Sequence, residues 1–134
     1  MVITQNIVEE RLRMFLSTVK ENNLNNLKCI HISISKIDKE IKIKLVNELV
    51  NNLFRDIERN TFFLHDGDII VFSPQITLEK YEYVNKSLAV FFSFMDMKSY
   101  MDIYEIRKDW SLLANIADEK LIKYNEYILS LIHI

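Results

Sequence analysis

The chain has 134 residues, 49% of them hydrophobic and 27% charged, which fits one globular domain with a core of its own. Its formal charge of −2 gives no basic footprint for nucleic acid, and its single cysteine, Cys29, allows neither an internal disulfide nor a cysteine-based zinc site. With one glycine and one proline there is no glycine-rich phosphate loop, and the longest apolar run, 88–95, is far too short to span a bilayer.

Taken in order, the first segment reads as a helix capped by Asn6 and running to about Lys20, with Ile7, Val8, Leu12, Phe15, Leu16 and Val19 on one face. An Asn-rich loop follows at 21–27. Residues 28–35 then alternate, with Ile30, Ile32 and Ile34 on one side and Cys29, His31, Ser33 and Ser35 on the other, the pattern of a strand. Asp38 is placed to open a second helix to about Arg59, with Leu45, Leu49, Leu53 and Ile57 as its stripe, widened by Val46, Val50 and Phe54.

Phe62, Phe63 and Leu64 lead into His65-Asp66-Gly67-Asp68, and Ile69-Ile70-Val71-Phe72 lead out; apolar β-favouring runs around a polar Asp-Gly tip predict a hairpin over 62–72. Pro74 ends its second strand, having no N–H for the ladder. Thr77 caps a third helix to about Phe92, with Leu78, Tyr81, Val84, Leu88 and Phe91 inward. Residues 99–106 read as a fourth strand, and Asp109 as the cap of a last helix from Trp110 nearly to the end. The order α-β-α-β-β-α-β-α, with no repeat or linker, predicts an α+β sandwich on one mixed sheet, with the hairpin at its centre.

Three stretches carry a resemblance. The opening helix, the tip Asp66-Gly67-Asp68-Ile69-Ile70, and the segment Leu112-Leu113-Ala114-Asn115-Ile116-Ala117-Asp118-Glu119-Lys120-Leu121 resemble, in that order, the Asn-Arg helix, the signature hairpin and the Leu-Leu-x-x-Ala-Asp-x-Ala-Leu-Tyr segment of GGDEF (diguanylate-cyclase-like) domains. The resemblance spans nearly the whole chain and implies the nucleotidyl-cyclase variant of the ferredoxin-like sandwich.

The departures all fall on that family's chemistry. Where active members carry a metal-binding Asp-x-Asp, this chain has Ser35-Lys36-Ile37. The signature Glu is Ile69, whose alkyl chain cannot bind a hard cation. The signature's first Gly is Asp66, which would repel a triphosphate. The guanine-reading segment is unrecognisable between Lys36 and Leu45, and the product-inhibition motif falls on Ile57 and Asn60.

For each polar candidate a plain role stands beside a functional one. Asp66 and Asp68 could form a residual cation or partner site, or simply suit a turn by bonding their own backbone. His65 could be a ligand or base, but has no carboxylate or second histidine at motif spacing. His31, Ser33 and Ser35 share a strand face without the glycines of a nucleophile elbow. Glu9-Glu10-Arg11 and Asp118-Glu119-Lys120 read as solvated helix faces, and Phe91, Phe92, Phe94, Met95 and Met97 as core plus loop.

In the last helix Trp110, Ala114, Ala117, Leu121, Tyr124, Ile128 and Leu131 recur in steps of four and three, the spacing of a coiled-coil seam. The sequence therefore points to a catalytically inactive GGDEF-like signalling module over 1–134, one part of a longer protein or whole. It would meet a protein partner or its own copy through Tyr124, Ile128 and Leu131. The alternative is a nucleotide or cyclic-dinucleotide sensor with its ligand at His65, Asp66, Gly67 and Asp68. No metal, cofactor or membrane span is expected. The start of the chain lacks a signal peptide's basic region and apolar run, which with the lone cysteine makes the cytoplasm the expected location.

Overall fold

A computed structural model describes residues 7–34, 43–91 and 100–132. The elements follow the expected order: α1 (Val8–Glu21), β1 (Lys28–Ile32), α2 (Ile43–Phe54), β2 (Asn60–Phe63), β3 (Ile69–Ser73), α3 (Leu78–Phe91), β4 (Met101–Glu105) and α4 (Ile106–Ile132). The four strands form one sheet in the order β2-β3-β1-β4, and every pairing is antiparallel. The strand–helix–strand units β1-α2-β2 and β3-α3-β4 interlock, each receiving a strand of the other between its own two.

Two expectations are corrected here. The sheet is antiparallel throughout rather than mixed, and the hairpin lies at one side of it rather than at its centre. The reason is visible in burial. β3 is buried at all five positions and so lies inside the sheet, with β1 on its other side, whereas β2 is half polar and forms the edge. The first strand does pair with the hairpin, Ile30 opposite Val71 and His31 opposite Ile70.

Because side chains alternate along a strand, β1 and β3 feed two separate cores. Ile30, Ile32, Ile69 and Val71 face α2 and α3, meeting Val46, Val50, Phe54, Val84 and Leu88. Cys29, Ile70 and Phe72 face α1 and α4, meeting Leu12, Leu16, Val19, Leu113 and Ala117. Under α1 the rings of Phe15, Phe62 and Phe72 stack with centroids 4.8–5.9 Å apart. The molecule is thus a helix pair, a sheet and a second helix pair.

The helix ends refine the sequence reading. Ile7, with no side-chain bond, stands at the N-cap of α1; Asn6, Asp38, Ser35 and Ser99 lie outside the described residues, as do Phe92, Phe94, Met95 and Met97. At the other end of α1 the Asn-rich loop has a specific job. Asn23 adopts φ 53°, while its N–H reaches Lys20 O and that of Leu24 reaches Val19 O, so the last carbonyls of the helix are satisfied. Thr77 Oγ1 accepts from the Lys80 N–H, as a cap of α3 should.

Other expectations shift. α2 ends at Phe54 rather than Arg59, and Leu45 and Leu78 point outward, 49% and 70% exposed. α4 begins at Ile106, three residues before the expected cap, and the Asp109 carboxylate reaches back to the Glu105 N–H. At about 1.5 Å per residue the 27 residues of α4 run about 40 Å, over twice the length of a five-residue strand.

Candidate functional site

The site forms where the hairpin tip meets α1 and α4. The Gly67 N–H bonds Leu64 O at 3.0 Å and the Leu64 N–H bonds Asp68 O at 2.9 Å, so the loop is the three residues 65–67. Gly67 sits at φ 100°, in the left-handed region where a side chain would clash. Asp66 Oδ1 accepts the Asp68 N–H at 3.0 Å, the local turn bond expected of it, which leaves Oδ2 for another partner.

That partner comes from α4. Leu113, Ala117, Lys120 and Tyr124 follow one another at steps of four, three and four, so they share the inward face. The apolar seam thereby carries a lysine over the hairpin tip. Lys120 Nζ donates to Asp66 Oδ2 at 2.6 Å and to Asp68 Oδ2 at 2.7 Å. Asp68, whose side chain is only 3% exposed, also bonds His31 Nε2 at 3.0 Å. It precedes β3 by one residue, and the alternation that turns Ile70 and Phe72 toward α1 and α4 turns Asp68 the same way, alongside His31 of β1.

Burial pulls the Lys120 ammonium toward the neutral form, but its hydrogen bonds to Asp66 and Asp68, together with their charges, outweigh this and leave its pKa above the ordinary value. Lys120 is therefore charged at neutral pH and balances two carboxylates that water scarcely reaches. Cys29, buried on the same sheet face, is pushed well above the usual thiol range, first by desolvation and then by Asp109, and so remains an inert thiol.

α1 supplies a second tie. Glu9 Oε2 accepts the His65 backbone N–H at 2.8 Å, and Oε1 lies 2.7 Å from His65 Nδ1. Glu9 is 2% exposed although it stands in the first turn of a helix. The His65 ring then packs on Tyr124, centroids 4.3 Å apart.

Beside this corner lies a cleft of about 240 Å³. The rings of His65, Tyr124 and Tyr127 form its walls. Glu9, Asp66, Lys120 and Lys123 complete its lining.

Of the residues expected at the site, His65, Asp66 and Asp68 do converge, and Gly67 shapes their loop. Tyr124 joins them, packing on the hairpin tip within the chain. Ile128 is half-buried, and Leu131 is exposed. Glu9 and Lys120 correct the reading of solvated helix faces, and Glu9 is the carboxylate that His65 had seemed to lack. Each was signalled as a charge inside an apolar stripe, Glu9 with Leu12, Leu16 and Val19, and Lys120 with Leu113 and Ala117. His31 is engaged with Asp68 and Ser33 is buried, so neither stands open to a substrate.

Among the described residues no group of three or more His, Cys, Asp or Glu is arranged to hold a metal ion, and no helix is long and apolar enough to cross a membrane. Comparison with protein-family models, curated proteins and solved structures finds no match to the chain.

Proposed function

We propose that the chain is a degenerate GGDEF-like, ferredoxin-like domain without cyclase activity, acting as a signalling module that pairs with a second copy through the end of α4. The observation that supports this furthest is the composition of the last turns of that helix. Tyr127, Leu129, Leu131 and Ile132 are 56%, 55%, 47% and 67% exposed. Ile128 between them is only half-buried, so apolar side chains cover a broad side of the helix that, among the described residues, no other element covers fully. An apolar stripe of that breadth calls for burial. Each Leu or Ile fully covered contributes roughly 1.5–3 kcal/mol, enough in small number to offset the entropy of association for a weak dimer.

Two further features support the reading. The strand order and the interlocked strand–helix–strand units agree with a ferredoxin-like sheet. At the hairpin, where cyclase chemistry requires carboxylates free to hold divalent ions, both aspartates are engaged by the chain's own ammonium. The cytoplasm is the compartment that suits such a module.

The test is sedimentation velocity of the chain and of a Leu129→Glu, Leu131→Glu variant. A concentration-dependent dimer that becomes monomeric in the folded variant is the expected outcome. A chain that stays monomeric at high concentration, or a variant that stays equally dimeric, rejects the pairing. The rival reading, a nucleotide or cyclic-dinucleotide sensor, draws on the cleft, but about 240 Å³ lies below the ~300–1,000 Å³ usual for drug-sized ligands.

A further inference from the structure

We propose that the cleft between the hairpin tip and α4 is a binding site for a small aromatic acid, a molecule of one or two flat rings bearing a carboxylate. The inference does not need the pairing proposed above, although Tyr127 belongs to both surfaces.

Three observations select that chemistry. The first is size. About 240 Å³ lies below the ~300–1,000 Å³ usual for drug-sized ligands and suits one or two fused rings better than a nucleotide with its sugar and phosphates.

The second is the wall. His65 and Tyr124 pack with centroids 4.3 Å apart, and Tyr127 completes the lining while more than half exposed. His65 is fixed from behind by Glu9 through both its backbone N–H and its ring, so this wall is already in place before a ligand arrives. Flat π faces favour a flat ring, which packs by offset or edge contacts beyond its simple area burial.

The third is the charge left over. Both Glu9 oxygens are taken by His65. Asp66 is taken by the Asp68 N–H and by Lys120, whose ammonium is in turn spent on Asp66 and Asp68. Lys123 differs. Its Nζ lies 3.5 Å from Asp66 Oδ2, the longest ion pair of the corner, on a side chain 63% exposed. It is the cleft's adjustable charge, able to turn from an already balanced aspartate to an incoming carboxylate. A ligand cation would find the lining carboxylates occupied.

The experiment is an amide-resolved NMR titration with indole-3-carboxylate and benzoate as probes. Benzylamine serves as the same ring with opposite charge, and cyclohexanecarboxylate as the same charge without a π face. The expected result is saturable shifts confined to residues 65–67 and 120–127, with Kd near or below about 1 mM for indole-3-carboxylate. The two controls should bind at least about tenfold more weakly. Lys123→Glu and Tyr127→Ala alter exposed positions, so they should leave the rest of the spectrum in place while weakening the probe by about tenfold or more.

Absence of localised, saturable shifts overturns the site. Equal binding of benzylamine, or an unchanged Kd in Lys123→Glu, overturns the assigned charge. Equal binding of cyclohexanecarboxylate overturns the role of the rings. Tighter binding of guanosine monophosphate than of indole-3-carboxylate at the same amides overturns the size class.

Discussion

The Lys120 ammonium lies 2.7 Å from the Asp68 carboxylate, joining residues 52 positions apart in sequence. The contact fastens α4 to the hairpin at a point where both side chains are nearly sealed from water. Removing the cation would take from Asp68 and Asp66 the ammonium that both carboxylates share, with Lys123 at 3.5 Å from Asp66 as a looser substitute. Breaking a buried pair by deleting one partner costs about 3–5 kcal/mol, mostly through the charge left behind. Lys120→Met is expected to lower stability by that order, read from urea denaturation at neutral pH. A change within about 0.5 kcal/mol, as surface substitutions give, would mean that water screens this corner.

The same lysine sets a pH dependence. Its folded pKa is raised above the unfolded value, so its contribution is fully present below the unfolded pKa, about 10.4, and is lost as pH rises through the folded one. The gap in urea midpoint between the parent chain and Lys120→Met should hold constant up to about pH 10 and narrow above it. Tyr81, Tyr100 and Tyr104, each raised chiefly by desolvation, also weaken the fold in alkali. They do so in both proteins and cancel from the comparison.

Gly67 at φ 100° predicts a backbone penalty rather than a lost contact. Gly67→Ala should cost about 1–3 kcal/mol. Gly67→Asn should cost less, because Asn tolerates left-handed backbone better than Ala. Thermal denaturation of the two variants side by side gives the ordering, and equal losses would point to packing instead.

Glu9 ties the start of α1 to the hairpin through two hydrogen bonds on His65. Glu9→Ala leaves the His65 N–H without this acceptor in a half-buried setting, at about 1–3 kcal/mol. The loss should be local first. Hydrogen exchange at Leu64 and Gly67 should quicken more than at Val71, deep in β3. Uniform acceleration would show instead that the whole domain opens together.

Incubation with GTP and Mg²⁺ or Mn²⁺ is expected to yield no cyclic dinucleotide by chromatography, since two-metal phosphoryl transfer depends on carboxylates that hold the ions. Product above a heat-killed control would overturn the proposed loss of chemistry.

The element order was legible because its signals are local. Alternation in β1, the Asp-Gly tip and the Thr77 cap each act within a few residues. Strand order was not, since it depends on which apolar strand is buried on both faces, and the continuous run Ile69-Ile70-Val71-Phe72 suits an inner strand whose second neighbour, β1, lies far away in sequence. The site was legible only in part. Asp66 and Asp68 announced themselves beside the glycine, but their counterion waited 50-odd positions away on a helix face that looked solvated. Glu9 was obscured in the same way, because a carboxylate in the first turn of a helix ordinarily faces water and needs no side-chain partner.

The pairing of α1 with α4 also governs when this protein can become whole. Trp110 Nε1 bonds Leu16 O across 94 positions, so α1 is matched by a helix made much later. At roughly 5–20 residues per second on a ribosome, that interval is on the order of 5–20 s. In the later part of it, once Ile70 and Phe72 are made, the Cys29 side of the sheet has only half its cover. A nascent chain is then a template missing a layer, and a helix of the right amphipathic pattern from elsewhere can compete for the vacancy. Synthesis that pauses before Trp110 prolongs that exposure.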